Sequence, residues 1–146
     1  MRARAVISTI TVAAFAAVLS GCSVIDSFTL QEFEVGQCLD TSGEVAETEG
    51  EVGHFPVVDC GEPHDAEVYA VVESAEPEFD IDAIEQEADL ACYEAFEGYV
   101  GLAWEDSELY YSFVYPSSQT WDDGDRQIAC LLIVDGQTGS LKDSGI

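Results

Sequence analysis

Asp80-Ile81-Asp82-Ala83-Ile84-Glu85-Gln86-Glu87-Ala88-Asp89-Leu90-Ala91-Cys92-Tyr93-Glu94-Ala95-Phe96-Glu97-Gly98-Tyr99-Val100 is the stretch that decides the fold. Ile81, Ile84, Ala88, Ala91, Cys92, Ala95, Phe96 and Tyr99 recur at helical spacing and make one apolar stripe. Asp80 is a natural N-cap, and Asp82 and Glu85 suit the positive start of a helix. Gly98 or Gly101 ends it. One amphipathic helix cannot bury its stripe alone, so its flanks set the architecture.

Both flanks read as strands. On the N-terminal side, Phe33 to Asp40 is a first strand, and Thr41 to Gly53 is a loop rich in Glu and Gly. His54 to Cys60 is a second strand, limited by Pro56 to an edge or a strand start. Gly61-Glu62-Pro63-His64 is turn chemistry, and Ala66 to Glu73 is a stronger strand carrying Val68, Tyr69, Val71 and Val72. Beyond the helix, Tyr110 to Tyr115 is a strand stopped by Pro116, and Ser117 to Asp125 is a polar loop holding Trp121. Arg126 to Val134 is the most apolar strand, and its lack of alternation suggests a central position. Asp135-Gly136 reads as a turn and Gln137 to Ile146 as a short tail. This order predicts an α+β fold, an antiparallel sheet of about five strands with one main helix packed across it.

The beginning of the chain has a different character. Arg2 and Arg4 precede an apolar stretch, Ala5 to Leu19, and then Leu19-Ser20-Gly21-Cys22. That is the build of an export signal, and its apolar run is short for a membrane span of about 20 residues. Leu19 to Cys22 resembles the bacterial lipobox. The resemblance implies diacylglycerol on the Cys22 sulfur, cleavage before that cysteine, and acylation (palmitate) of the new amino terminus. More than one acyl chain matters, because a single chain holds a protein only marginally. A plain secreted protein and an uncleaved anchor helix are the competing readings. The expected organisation is a signal peptide over 1–21, lipidated Cys22 with a short tether over 22–32, and an acidic domain over 33–146. The lipid bilayer is then a partner, through the acyl chains, at the extracytoplasmic face of the cell membrane.

Cysteine arithmetic fits this picture. Lipid on Cys22 accounts for one of five cysteines and leaves Cys38, Cys60, Cys92 and Cys130. In an oxidising compartment two disulfides are the default, with three possible pairings. Cys38–Cys60 with Cys92–Cys130 is favoured. The first pair closes a local loop around Ser42 to Gly53, and the second staples the helix to a late strand. A zinc site is the rival, since Cys60 and His64 have ligand-like spacing, but export and only four thiols weigh against it.

The chain carries 30 acidic residues against 4 basic ones, a net charge of −26. Such a balance excludes nucleic acid as a partner, since binding phosphates needs Lys and Arg. Val, Ile, Leu, Phe, Tyr and Trp are plentiful between the acids, which argues against disorder.

Several segments together resemble a known family. They are Phe33-Glu34-Val35-Gly36-Gln37-Cys38-Leu39-Asp40, Val57-Val58-Asp59-Cys60-Gly61-Glu62-Pro63-His64-Asp65-Ala66-Glu67-Val68-Tyr69-Ala70, and Cys92 with Phe96 and Tyr99-Val100-Gly101. Pro116, Trp121, Gly124-Asp125-Arg126, Cys130-Leu131 and Thr138-Gly139-Ser140-Leu141 complete the set. As a set they resemble the septum-formation domain family of actinobacterial envelope proteins. The resemblance implies a context of cell division or septum biology and carries no catalytic motif to transfer.

Four residues stand out as structural or binding candidates: His64, Glu67, Trp121 and Arg126. His64 and Glu67 could form a ligand or metal pair, but residues three apart on a strand face opposite ways. The better reading has the His64 ring bonding local backbone or a carboxylate. Arg126 is expected in a structural ion pair with a carboxylate, and Trp121 as a core or edge anchor. Trp104, with Tyr110 and Tyr111, could make a sugar or partner patch, though packing on the helix end fits better. Asp122, Asp123 and Asp125 lack the glycine and terminal glutamate of a regular calcium loop. No nucleophile elbow, zinc-protease motif or phosphate loop is present. The sequence therefore predicts a noncatalytic interaction or structural module of the envelope, with no cofactor, no metal and an unidentified envelope or membrane protein as partner. A small wall-facing hydrolase and a ligand- or cation-binding lipoprotein are the alternatives.

Overall fold

A computed structural model describes residues 31–41 and 55–146. The signal segment, Cys22, most of the tether, the loop from Ser42 to Gly53 and His54 lie outside the described residues. Chain order is β1 (Cys38–Leu39), β2 (Val57–Val58), β3 (His64–Glu73), α1 (Ile81–Val100), a 3-10 turn (Trp104–Asp106), β4 (Tyr110–Val114), α2 (Ser118–Asp122) and β5 (Gln127–Gln137). The strands form one five-stranded sheet in the order β2-β1-β3-β5-β4, antiparallel throughout. The α+β expectation holds, and so do both favoured disulfides, Cys38–Cys60 and Cys92–Cys130.

Helix α1 begins and ends where its sequence directs. The Asp80 carboxylate accepts from the backbone N–H groups of Asp82 and Ala83, at 3.1 and 3.3 Å. Gly101 closes the helix in the left-handed conformation, φ 84°, which costs a residue without Cβ nothing. The buried face is Ile84, Ala88, Cys92, Phe96, Tyr99 and Val100. Ile81, expected on the stripe, is 48% exposed because it sits at the first turn, beyond the edge of the core.

Each sheet face has its own core. Tyr69, Cys130, Leu132 and the tail residue Leu141 pack beneath α1, and Ile128 and Trp121 continue that layer under Ile84 and Ala88. On the opposite face Ala66, Val68, Ala129 and Leu131 pack with Leu39, Phe33 and Phe55. A register shift in β3 between Val68 and Ala70 puts Tyr69 and Ala70 both toward the helix.

Two glutamines hold the second layer in place. The Gln31 side-chain amide donates to the Phe55 carbonyl and accepts from the Phe55 N–H, both at 2.7 Å. The Gln127 amide does the same to Phe33, at 3.2 and 2.8 Å. Each amide thus pairs like one rung of a ladder. Gln31, read from sequence as tether, is already bound to the domain.

Some boundaries differ from the sequence reading. β1 and β2 are only two residues long, because Gly36 turns the chain before β1 and Pro56 removes a donor before β2. β5 does run between two neighbours, as its apolar pattern suggested, but it continues through Asp135-Gly136 to Gln137. Gly136, at φ 60°, serves a bulge there rather than a chain reversal. The loop after Pro116 contains α2, capped by the Ser117 hydroxyl on the Thr120 N–H.

Candidate functional site

The most unusual group in the fold is a carboxylate inside it. Glu67 has no exposed surface. It pairs with Cys38 across β1 and β3, so both side chains share the helix-facing side of the sheet. Tyr99 donates its hydroxyl to Glu67 Oε1 at 2.6 Å, and Ser140 donates to the same oxygen at 2.5 Å. The Leu141 N–H donates to Oε2 at 2.8 Å. A helix, a strand and the C-terminal segment are thereby tied to one side chain. The Gly139 N–H on the Cys60 carbonyl, and the Asp143 and Gly145 N–H groups on the carbonyls of Tyr99 and Val100, seat that segment.

His64 joins this knot. It is 1% exposed, and its Nδ1 lies 3.0 Å from the Glu62 carbonyl. A carbonyl only accepts, so Nδ1 carries the proton toward it. The expected bond to local backbone is present. The expectation that His64 and Glu67 face apart is corrected: the two come together beside Cys38, at the end of β3 where its ladder with β5 is irregular. Cys38 Sγ, a ring nitrogen of His64 and a carboxylate oxygen of Glu67 lie within 4.8 Å of one another. Sequence reasoning singled out His64, Glu67, Cys38 and Cys60, read Tyr99 only as part of the apolar stripe of α1, and assigned no role to Ser140 or Leu141. The one signal for Ser140 and Leu141 was the Thr138-Gly139-Ser140-Leu141 segment within the family-like set, to which Tyr99-Val100-Gly101 also belongs.

Trp121 and Arg126 form a second, separate unit. Trp121 is 6% exposed and packs edge-on against Phe79, with ring centroids 5.9 Å apart. The Arg126 guanidinium lies 3.6 Å from the centroid of the Trp121 ring. It donates to the carbonyls of Trp121 and Asp125, at 2.8 and 2.6 Å. A ring face and two carbonyls hold it, where the sequence suggested a carboxylate fork; nearby Asp125 instead caps the Gln127 N–H. Arg126→Ala is expected to cost about 2 kcal/mol, from a stacked cation and two charge-assisted bonds. Arg126→Lys should recover less than half of it, since an ammonium cannot reproduce the planar fork. Thermal melts of the three proteins check both.

Tyrosines tether acids across the outer face of α1. Tyr111 bonds Asp89 at 3.0 Å, Tyr115 bonds Glu85 at 2.7 Å, and Tyr93 bonds Glu105. Trp104 packs edge-on against Tyr93 and Tyr111, which matches packing on the helix end, while Tyr110 stays 74% exposed and apart. Asp82, Glu85, Gln86, Asp89 and Phe113 line an open acidic groove beside this row.

These phenols resist ionisation. Burial, followed by the bonded carboxylate, pushes Tyr99, Tyr111 and Tyr115 up to about 12 from a usual 10.0. Burial raises Tyr69 further, with its hydroxyl bonded to the Cys92 carbonyl at 2.7 Å. A pKa raised in the folded state means stability fully present below pH 10 and lost as pH climbs through 12. The urea midpoint should therefore be flat between roughly pH 8 and 9.5 and fall steeply by roughly pH 11.

A family model described as septum formation matches residues 35–145. No curated protein and no solved structure matches the chain.

Proposed function

Because the chain belongs to the septum-formation family, we propose that it works in cell division as a noncatalytic module, anchored through lipid on Cys22 to the extracytoplasmic face of the membrane. The observation that carries the proposal is the extent of the family match, which spans both disulfides and the whole Glu67 knot. The site supports the noncatalytic part. His64 is buried beneath the fold, and the cysteines at 38, 60, 92 and 130 are bridged, so none of them presents a nucleophile or base to a substrate. Exposed carboxylates along α1 suit docking of a basic envelope or membrane protein.

Deleting the gene and complementing it provides the test. Loss is expected to give elongated cells with misplaced septa, rescued by the native chain. Cys22→Ser should fold normally but leave the membrane fraction and fail to rescue. Normal septum spacing in the deletion strain would end the division reading. A Cys22→Ser chain that remains in the membrane without lipid mass would replace the lipid anchor with an uncleaved helix.

A further inference from the structure

Among the described residues, Nε2 of His64 is the one buried side-chain nitrogen or oxygen with no hydrogen-bond partner. Its position is specific. Nδ1 is committed to the Glu62 carbonyl, which fixes the ring and leaves Nε2 as its unpartnered nitrogen, and the ring comes within 4.8 Å of both a Glu67 carboxylate oxygen and Cys38 Sγ. A ligating histidine commonly holds its second nitrogen on a backbone carbonyl in this way. An orphaned buried polar atom costs free energy, so a partner that appears under some condition is the natural reading.

We propose that opening the Cys38–Cys60 bridge creates a buried site for a thiophilic divalent cation, zinc above all, held by Cys38 Sγ, His64 Nε2 and the Glu67 carboxylate. With the bridge closed, the Cys38 sulfur is spent and only two donors remain. With it open, the donor set is one thiolate, one imidazole and one carboxylate. Glu67 has room, because a carboxylate offers about four acceptor positions and three are filled. Charge also fits: a thiolate and a carboxylate buried together need the two positive charges that such an ion brings. The three donor atoms, now within 4.8 Å, would close to the spacing of about 3.5 Å that tetrahedral zinc sets. Water supplies the fourth ligand, and Cys60, which is only half-buried, stays a thiol.

An external dithiol drives the opening. Its thiolate attacks Cys60 Sγ, the accessible end, since Cys38 has no exposed surface. The Cys38–Cys60 S–S bond breaks and its electron pair leaves on Cys38. The second thiol of the reductant then displaces Cys60. Two electrons pass from the dithiol, which becomes a disulfide. One of its protons ends on Cys60, and the other goes to solvent as Cys38 stays a thiolate on the metal.

Cys60→Ser frees the Cys38 thiol without reductant and leaves Cys92–Cys130 closed. The full chain is titrated with cobalt(II) as a spectroscopic stand-in, then with zinc in competition with a chelator. One ion per chain with a thiolate-to-cobalt charge-transfer band is expected for Cys60→Ser. The bridged native chain should give none, because surface carboxylates cannot produce that band. Adding His64→Ala should weaken binding by more than about 100-fold, beyond the 10–100-fold that loss of an outer-shell group causes. If metal-free Cys60→Ser is unfolded, the ion should fold it, seen by near-ultraviolet circular dichroism. A folded variant without the band overturns the proposal, as does a band insensitive to His64→Ala, or a chain that metal leaves unfolded.

Discussion

Glu67→Leu is expected to destabilise the protein by about 3–5 kcal/mol, most of what a small domain has to spare. The shape of the side chain is roughly kept, so the loss is electrostatic. The Tyr99 hydroxyl and the Leu141 N–H are buried donors and would lose their acceptor. Each unsatisfied donor costs about 1–3 kcal/mol, and bonds to a charged acceptor are the stronger kind. Ser140 is exposed and can turn to water, so Ser140→Ala should cost less than about 1 kcal/mol. Glu67→Gln should fall between, since one amide oxygen still accepts while its NH2 faces a donor. Urea denaturation of the three variants gives the order. A Glu67→Leu chain as stable as the native protein would mean that the knot is a passenger of the fold.

Replacing Cys92 and Cys130 together by alanine is the second large effect. The bridge joins α1 to β5 across a sequence separation of 38, and both sulfurs are fully buried. Constraining a loop of that length in the unfolded chain stabilises the native state by about 4 kcal/mol in the chain-entropy description. At about 4–8 °C per kcal/mol for a domain near this size, melting should fall by roughly 16–32 °C. Opening Cys38–Cys60, with a separation of 22, should cost slightly less, about 3.4 kcal/mol by the same relation. Equal melting temperatures for the native and Cys92/Cys130 variants would place the stability elsewhere.

Local chemistry made much of the architecture readable. Asp80, the apolar stripe and Gly101 wrote α1 into the sequence, because caps and helical spacing act within a few residues. The even set of four cysteines left after Cys22 pointed to two bridges. Long-range features were not readable in the same way. Asp135-Gly136 carries turn chemistry, yet the ladder with β3 absorbs it as a bulge, and only the partner strand decides that. His64 meets Glu67 at the same irregular end of the ladder, against the simple alternation rule. Ser140 and Leu141 meet Glu67 across separations of 73 and 74 residues, and nothing local marks them as its donors.

The threading of β5 between β3 and β4 also sets a timetable. Residues 127–141 supply the inner strand, one cysteine of a bridge, and the donors that satisfy Glu67. Synthesis runs at about 5–20 residues per second, so that material emerges seconds after the first strands. Until then β3 and β4 have no partner between them, and the helix has half a surface to cover. A growing chain therefore holds no finished core until residues 127–141 have emerged. Compaction waits for the late segment, which also brings Cys130 to its bridge with Cys92.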